Sequence, residues 1–292
     1  MRLLIWNIRF GGVGATGYRY DPRTSQENVR RIARSLLKKH ADILVLAEYR
    51  DSHKTGGVIT EKLEEAGYTC FCSNAGLNKN GILIALSSHI TNSYGAVQVN
   101  GFKIDANRLD EIFRYRWLNL RLQGTERRRM FEILGLHIPD VRPGWAGDPE
   151  RFARSIEYKQ IIWDALIGYA RDRLDRGEDT IIAGDFNTGL NSEDQTSGGG
   201  NYYFSDRMAE LKMLKDPSGQ SLTDVWRAFH PQPSQGDFTW YNGDEGYRLD
   251  YAFLTPELTV GLKDAEHSHE ERLNGLSDHS MLVVDLDLLL GG

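Results

Sequence analysis

The apolar, strand-like run Thr180-Ile181-Ile182-Ala183 ends in Gly184-Asp185-Phe186-Asn187. Gly184 lets the backbone turn where the run stops. Asp185 and Asn187 stand two residues apart, so while the chain stays extended their side chains point the same way. One is a carboxylate, and the other an amide that both donates and accepts. Together they suit a hard cation or the oxygens of a phosphate. A plain strand-end turn would use the same residue types, because Gly, Asp and Asn are all turn formers.

Other hydrophilic residues also sit at the ends of apolar runs. Asn7 follows Leu3-Leu4-Ile5-Trp6, Glu48 follows Ile43 to Ala47, and His137 follows Ile133 to Leu136. Asp250 lies within Tyr247 to Phe253, and Asp278-His279 directly precedes Ser280 to Val284. A carboxylate beside an apolar strand is costly unless it is paired, hydrogen-bonded or metal-bound. Each could be a satisfied core group by itself, but their joint recurrence points to an assembled site. Carboxylate and amide ligands suit Mg2+, with Mn2+ as a second choice, and not Zn2+. Such a cation offsets charge developing on a phosphate ester under attack. Histidine transfers protons near neutral pH, and an aspartate can fix its tautomer. No Gly-x-Ser-x-Gly elbow supports serine catalysis, and no Gly-x-x-x-x-Gly-Lys loop supports nucleotide-triphosphate chemistry.

Elements must position these groups. Strand-like runs fall at Leu3 to Ile8, Asp42 to Glu48, Tyr68 to Ser73, Gly81 to Leu86, Arg116 to Leu122, Met130 to Ile138, Thr180 to Phe186, Phe238 to Tyr241, Arg248 to Leu254 and Ser280 to Leu288. Helical spacing marks 25–39, where Thr24 and Glu27 are placed as a capping box, and the longer segment Pro149 to Leu174. Shorter helices are expected near 57–66, 205–214 and 221–229. Many strands with few helices imply two packed sheets covered outside by helices. No composition break or repeat divides the chain, so one domain spanning 1–292 is expected.

The net charge of −6 argues against a broad basic surface, so phosphate contact must come from a local patch or from bound metal. No run approaches a membrane span. The N-terminus lacks the pattern of a secretory signal. The two cysteines, Cys70 and Cys72, are too close along one strand for an unstrained disulfide, which fits a reducing, cytoplasmic setting.

In order along the chain, Ile5-Trp6-Asn7, Leu46-Ala47-Glu48, Gly135-Leu136-His137, Gly184-Asp185-Phe186-Asn187, Arg248-Leu249-Asp250-Tyr251 and Ser277-Asp278-His279 resemble the endonuclease/exonuclease/phosphatase superfamily, the deoxyribonuclease I-like fold. The resemblance implies an α/β, four-layer sandwich of two mixed β-sheets flanked by helices. It also implies that Glu48 is the principal Mg2+ ligand, with Asn7 and Asp278 close to the metal. Asp185 would orient or deprotonate the attacking water, and Asn187 would hold that water or a phosphate oxygen. His279, oriented by Asp250, would contact the scissile phosphate, with His137 on the leaving-group side.

Within that superfamily, Glu48-Tyr49-Arg50-Asp51-Ser52-His53 resembles the deoxyribonuclease I branch, in which the arginine reaches the DNA minor groove. The later segments Leu222 to Arg227, His230-Pro231, Phe238-Thr239-Trp240 and Gly246 to Asp250 resemble the exonuclease III and abasic-site endonuclease branch, as does Glu157-Tyr158-Lys159. That branch carries Tyr-x-Pro-Asn where this chain has His137-Ile138-Pro139-Asp140, which argues against abasic-site specificity. Arg142 and Trp145 pair a base with an aromatic in a loop suited to phosphate contact and stacking. Arg127-Arg128-Arg129 fits a solvated turn.

The expectation is a monomeric Mg2+-dependent phosphodiesterase acting on DNA as an endo- or exonuclease, with Arg50, Arg142, Trp145 and Trp240 on its substrate face and no membrane partner. The alternative keeps the chemistry and changes the substrate to an inositol phosphate or a phospholipid, in the manner of a sphingomyelinase. A non-catalytic binding module would have lost at least one central residue, and none of these motif residues is missing.

Overall fold

The computed structural model describes residues 1–12, 22–52, 56–73, 79–104, 115–124, 130–141, 148–196 and 202–288. Fourteen strands run through them: β1 (Arg2–Asn7), β2 (Ile43–Tyr49), β3 (Thr69–Cys72), β4 (Gly81–Leu86), β5 (Tyr94–Gln98), β6 (Trp117–Gly124), β7 (Phe131–His137), β8 (Thr180–Asp185), β9 (Thr223–Asp224), β10 (Trp240–Asn242), β11 (Glu245–Tyr247), β12 (Asp250–Leu254), β13 (Leu262–Ser268) and β14 (Met281–Leu286). One sheet has the order β13-β14-β1-β2-β4-β3 and the other β5-β6-β7-β8-β12-β9, while β10 and β11 form a separate ribbon. Each large sheet has one parallel pair at its centre, β1 with β2 and β7 with β8, and its other pairings are antiparallel.

Alternation along the strands builds the layers. Leu3, Ile5, Ile43 and Val45 share one buried cluster with Leu118, Leu120, Ile133, Ile181 and Ala183 of the facing sheet. The intervening residues Leu4, Trp6, Leu44 and Leu46 pack outward on Val29, Ile32 and Leu36 of the helix Pro22–Lys38. On the other sheet, Leu134, Leu136, Ile182 and Phe253 pack outward on Trp163, Leu166 and Ile167 of the helix Pro149–Asp175. With both faces covered, the central strands are apolar throughout, each buried Leu or Ile contributing ~1.5–3 kcal/mol. The long helix is capped by Asp148, which accepts from the backbone N–H of Arg151 at 3.1 Å, and it carries Pro149 at its first turn.

This topology brings the chemistry-bearing residues to one edge. A parallel pair ends both of its strands at the same side, and an antiparallel neighbour begins there. Asn7, His137 and Asp185 therefore close β1, β7 and β8, and Glu48 stands one residue before the end of β2, while Asp250 opens β12 and Asp278-His279 lead into β14. Register sets His137 opposite Asp185, and Asp185 opposite Asp250. Asn7, His137, Asp185 and Asp250 continue the inward alternation of Ile5, Ile133, Ala183 and Ala252, so the polar site is the end of the inter-sheet core.

Several expected boundaries shift. The helix expected over 25–39 begins at Pro22, so Thr24 lies inside it and is not its cap. The helix expected over 221–229 is β9 followed by a short helix, Val225–Phe229, whose cap is Asp224. No helix among the described residues is long and apolar enough to cross a membrane.

Candidate active site

Asn7, His137, Asp185, Asp250 and His279 converge with no more than 5% of any of them exposed. Both oxygens of Asp185 are held. Oδ1 accepts from the backbone N–H of Asn187 at 2.9 Å, and Oδ2 accepts from Asn7 Nδ2 at 2.8 Å and Asn187 Nδ2 at 3.1 Å. Asn187 Nδ2 also donates to the carbonyl of Ile138 at 3.0 Å. Asn187 has φ 46°, a left-handed conformation that Asn enters more readily than most residues and that still costs roughly 1–2 kcal/mol. Gly184 has φ 145°, and a Cβ there would lie 1.9 Å from the carbonyl oxygen of Leu136. Only glycine fits at this junction.

His279 is fixed at both ends. Its Nδ1 lies 2.8 Å from Asp250 Oδ2, and its carbonyl accepts from Trp6 Nε1 at 2.9 Å. Ser277 Oγ accepts from the His279 N–H at 3.2 Å and donates to the Asn7 carbonyl at 2.6 Å, tying β1 to the approach of β14. Burial opposes an imidazolium here, but the Asp250 carboxylate outweighs it and raises the His279 pKa to about 10. Burial raises Asp185 to about 7, against the pull of cationic His279, and facing Asp250 adds to the rise. Burial drives His137 the other way, well below 6.5, and the Arg116 guanidinium reinforces this. A charged histidine, a neutral histidine and a carboxyl that titrates near neutrality thus share one buried site, as acid–base chemistry requires.

His137 lies between two carboxylates, with Nε2 3.7 Å from Glu48 Oε1 and 3.7 Å from Asp185 Oδ2. Glu48 is the extra residue of a bulge between Ala47 and Tyr49, with φ 58°. The bulge re-aims a side chain that simple alternation would send outward. Its Oε2 accepts from the Phe10 N–H at 2.8 Å. Arg9 and Phe10 have φ 43° and 52°. The Arg9 N–H donates to Asn7 Oδ1 at 2.9 Å, and its guanidinium lies 3.4 Å from Asp278 Oδ2. The three residues expected near the metal, Asn7, Glu48 and Asp278, are therefore all tied to one strained two-residue turn.

The donor set fits a hard divalent cation. Glu48 and Asp278 offer carboxylate oxygens, and Asp250 Oδ1 is buried without a hydrogen-bond partner. Among the described residues, the His, Asp and Glu side chains close enough to share one ion are Asp185, Asp250 and His279, whose ligand atoms lie within 4.8 Å of one another. That oxygen-rich group includes Asp185 and the Asp250–His279 pair and omits Glu48.

Of the four expected substrate residues, Arg50 and Trp240 fall among the described residues and touch neighbours of this site. Arg50 lies over the Phe10 ring, 4.7 Å from its centroid, and its Nε donates to Asn80 Oδ1 at 2.8 Å. Trp240 makes a bridge to His279, and its Nε1 donates to Asp278 Oδ2 at 3.4 Å. Arg142, Trp145 and the Arg127-Arg128-Arg129 run lie outside the described residues.

Four contributors were given no role from the sequence. Arg116 lies 2.9 Å from His137 Nδ1 and begins the segment that leads into β6. Arg9 and Ser277 neighbour motif residues but act through backbone links. Lys159 is buried on the apolar face of the long helix, where its Nζ donates to the Asn187 carbonyl at 2.7 Å. Burial lowers its pKa to about 8, with Asp140 and Asp185 pulling upward. The signal was a lysine within an otherwise apolar helical stripe.

This fold is a two-sheet sandwich that carries its buried polar site at one edge. The chain matches the model of the Endonuclease/Exonuclease/phosphatase family over residues 4–279 and belongs to that family. Its members are hydrolases, mostly nucleases or phosphatases. Among solved structures, a 3′ phosphatase from Neisseria bound to a product DNA hairpin superposes with a TM-score of 0.67 at 19% identity, covering 98% of this chain and 99% of that one. An AP endonuclease from Archaeoglobus fulgidus gives a TM-score of 0.69 at 18% identity, with 98% and 99% covered. The APE2 catalytic domain of Xenopus laevis gives 0.66 at 21%, with 98% and 91% covered. The four-layer, deoxyribonuclease I-like architecture expected from the motifs is the one observed. Comparison with curated proteins finds no match.

Proposed function

We propose that the protein is a Mg2+-dependent phosphodiesterase that hydrolyses phosphodiester bonds of DNA. The observation that carries this reading is the doubly held Asp185 carboxylate, set in register against Asp250 with His279 beside both. A carboxyl with a pKa near 7 can accept the proton of an attacking water at neutral pH. Asn187 spends its amide nitrogen on Ile138 and Asp185, which leaves Oδ1 for the water or substrate. His279, cationic through Asp250, stabilises negative charge on the phosphate. Neutral His137 hydrogen-bonds an oxygen without adding charge. A cation held by Glu48, with Asn7 and Asp278 nearby, would neutralise charge on the phosphate as the bond breaks.

DNA is favoured by Arg50 and Trp240, a cation and a large aromatic at the lips of the site. It is supported by the DNA hairpin bound to the similar 3′ phosphatase and by the AP endonucleases of the same fold. The test is a substrate panel with Mg2+: plasmid DNA, an abasic-site duplex, RNA, an inositol phosphate and sphingomyelin, each with wild type and Asp185→Ala. DNA cleavage that the substitution removes is expected. Turnover confined to a non-nucleic substrate would overturn the proposal.

A further inference from the structure

Lys159 has a problem of its own. An ammonium that is 1% exposed has lost its water and must recover the cost from partners. Its hydrogen bond goes to a backbone carbonyl, that of Asn187, at 2.7 Å. The carboxylates that act on it by charge, Asp140 and Asp185, lie on the segments following β7 and at the end of β8. One side chain from the outer helical layer therefore reaches through to the segments that carry the site.

The Asn187 N–H and amide nitrogen are already committed, and Lys159 takes hold of the residue by its backbone carbonyl. Those two Asn187 nitrogens grip both oxygens of Asp185, and the Asn187 φ of 46° must be maintained for that grip to exist. A bond to the carbonyl acts on backbone conformation and not on a side chain. We infer that Lys159 is a positioning residue: its amine locks the left-handed backbone of Asn187 and, through it, fixes the Asp185 carboxylate for reaction. The inference rests on the proposed hydrolytic role of Asp185.

Lys159→Met keeps the length and apolar stem of the side chain and removes the donor. In the whole protein with Mg2+ and one DNA duplex, kcat should fall about 10- to 100-fold, the scale of a small misplacement of a reacting group. KM should stay within about threefold, because substrate binding is untouched. Amide exchange of the Asn187 N–H, followed by NMR, should speed up by roughly tenfold or more, as expected of a local opening. Exchange at Phe186, whose N–H is held by the Leu249 carbonyl, should not change. An unchanged kcat, or unchanged exchange at Asn187, overturns the inference.

If Lys159→Met does not fold, Lys159→Arg retains a buried cationic donor. It should keep activity well above that of Asp185→Ala, and equal loss in the two variants would overturn the inference. If wild type cleaves no DNA, the nuclease reading fails separately, and amide exchange still decides the role of Lys159.

Discussion

His279 Nδ1 and Asp250 Oδ2 lie 2.8 Å apart in a site where neither residue is more than 5% exposed. The carboxylate keeps the imidazole cationic far above its usual range. A histidine that titrates near pH 10 is a fixed positive charge at neutral pH, not a proton shuttle.

Because the folded pKa of His279 is raised above 6.5, the pair contributes stability that is complete below pH 6.5 and is lost as pH rises through about 10. Asp250→Asn should weaken this pH dependence and lower the His279 titration well below 10, because burial then faces only the Asp185 and Asp278 charges. Histidine NMR and thermal melts from pH 5 to 11 read both effects. A His279 titration unaffected by Asp250→Asn would contradict the pairing.

Asp185 behaves oppositely. Its folded pKa is raised from 3.8 to about 7, so ionising the buried carboxyl costs stability increasingly as pH rises from about 4 to 7. Metal-free wild type should lose stability relative to Asp185→Asn across that window. In the Mg2+-loaded enzyme, kcat/KM should fall on the acid side with a midpoint at or below 7, because a cation nearby favours the carboxylate. Denaturation midpoints and a pH–rate profile check the two halves.

Gly184→Ala places a methyl 1.9 Å from the Leu136 carbonyl oxygen at φ 145°. The clash should cost about 3 kcal/mol or more and displace Asp185. Denaturant titration reads the stability. A variant as stable and active as wild type would show that β8 has slack at its end.

Arg50→Ala removes a cation stacked on Phe10 beside the Glu48 strand. DNA cleavage should weaken and its log–log salt slope should flatten by about 1, while hydrolysis of a small phosphodiester stays near wild type. Equal losses on both substrates would move Arg50 from substrate binding into the framework of the site.

Much of this was legible in the chain because both faces of the central strands are buried, leaving unbroken apolar runs such as Ile43–Ala47 and Ile133–Leu136. Of the edge strands, β3 was legible as Tyr68 to Ser73, but β5, β9 and β13 were not. In β13 only Ala265 is fully buried among Lys263, Asp264 and Glu266, and in β5 Gly95 and Val97 break any simple pattern. Charged or open edge strands deter pairing with other chains and so hide from hydrophobic periodicity. Alternation also explains why Asn7, His137, Asp185 and Asp250 could be singled out, since each ends an inward-facing stripe. Glu48 reaches the site only through its bulge, and the Arg9–Phe10 turn acts through backbone N–H groups. Side-chain patterns carry no trace of such backbone contacts.

The most direct test is the rate at which wild type and Asp185→Ala cleave one DNA duplex across a Mg2+ titration. Cleavage should require Mg2+ and stop with EDTA, and the substitution should slow it by about 10²–10⁴-fold at saturating metal. Equal rates for the two proteins, or cleavage indifferent to metal, would contradict a hydrolytic site built on Asp185.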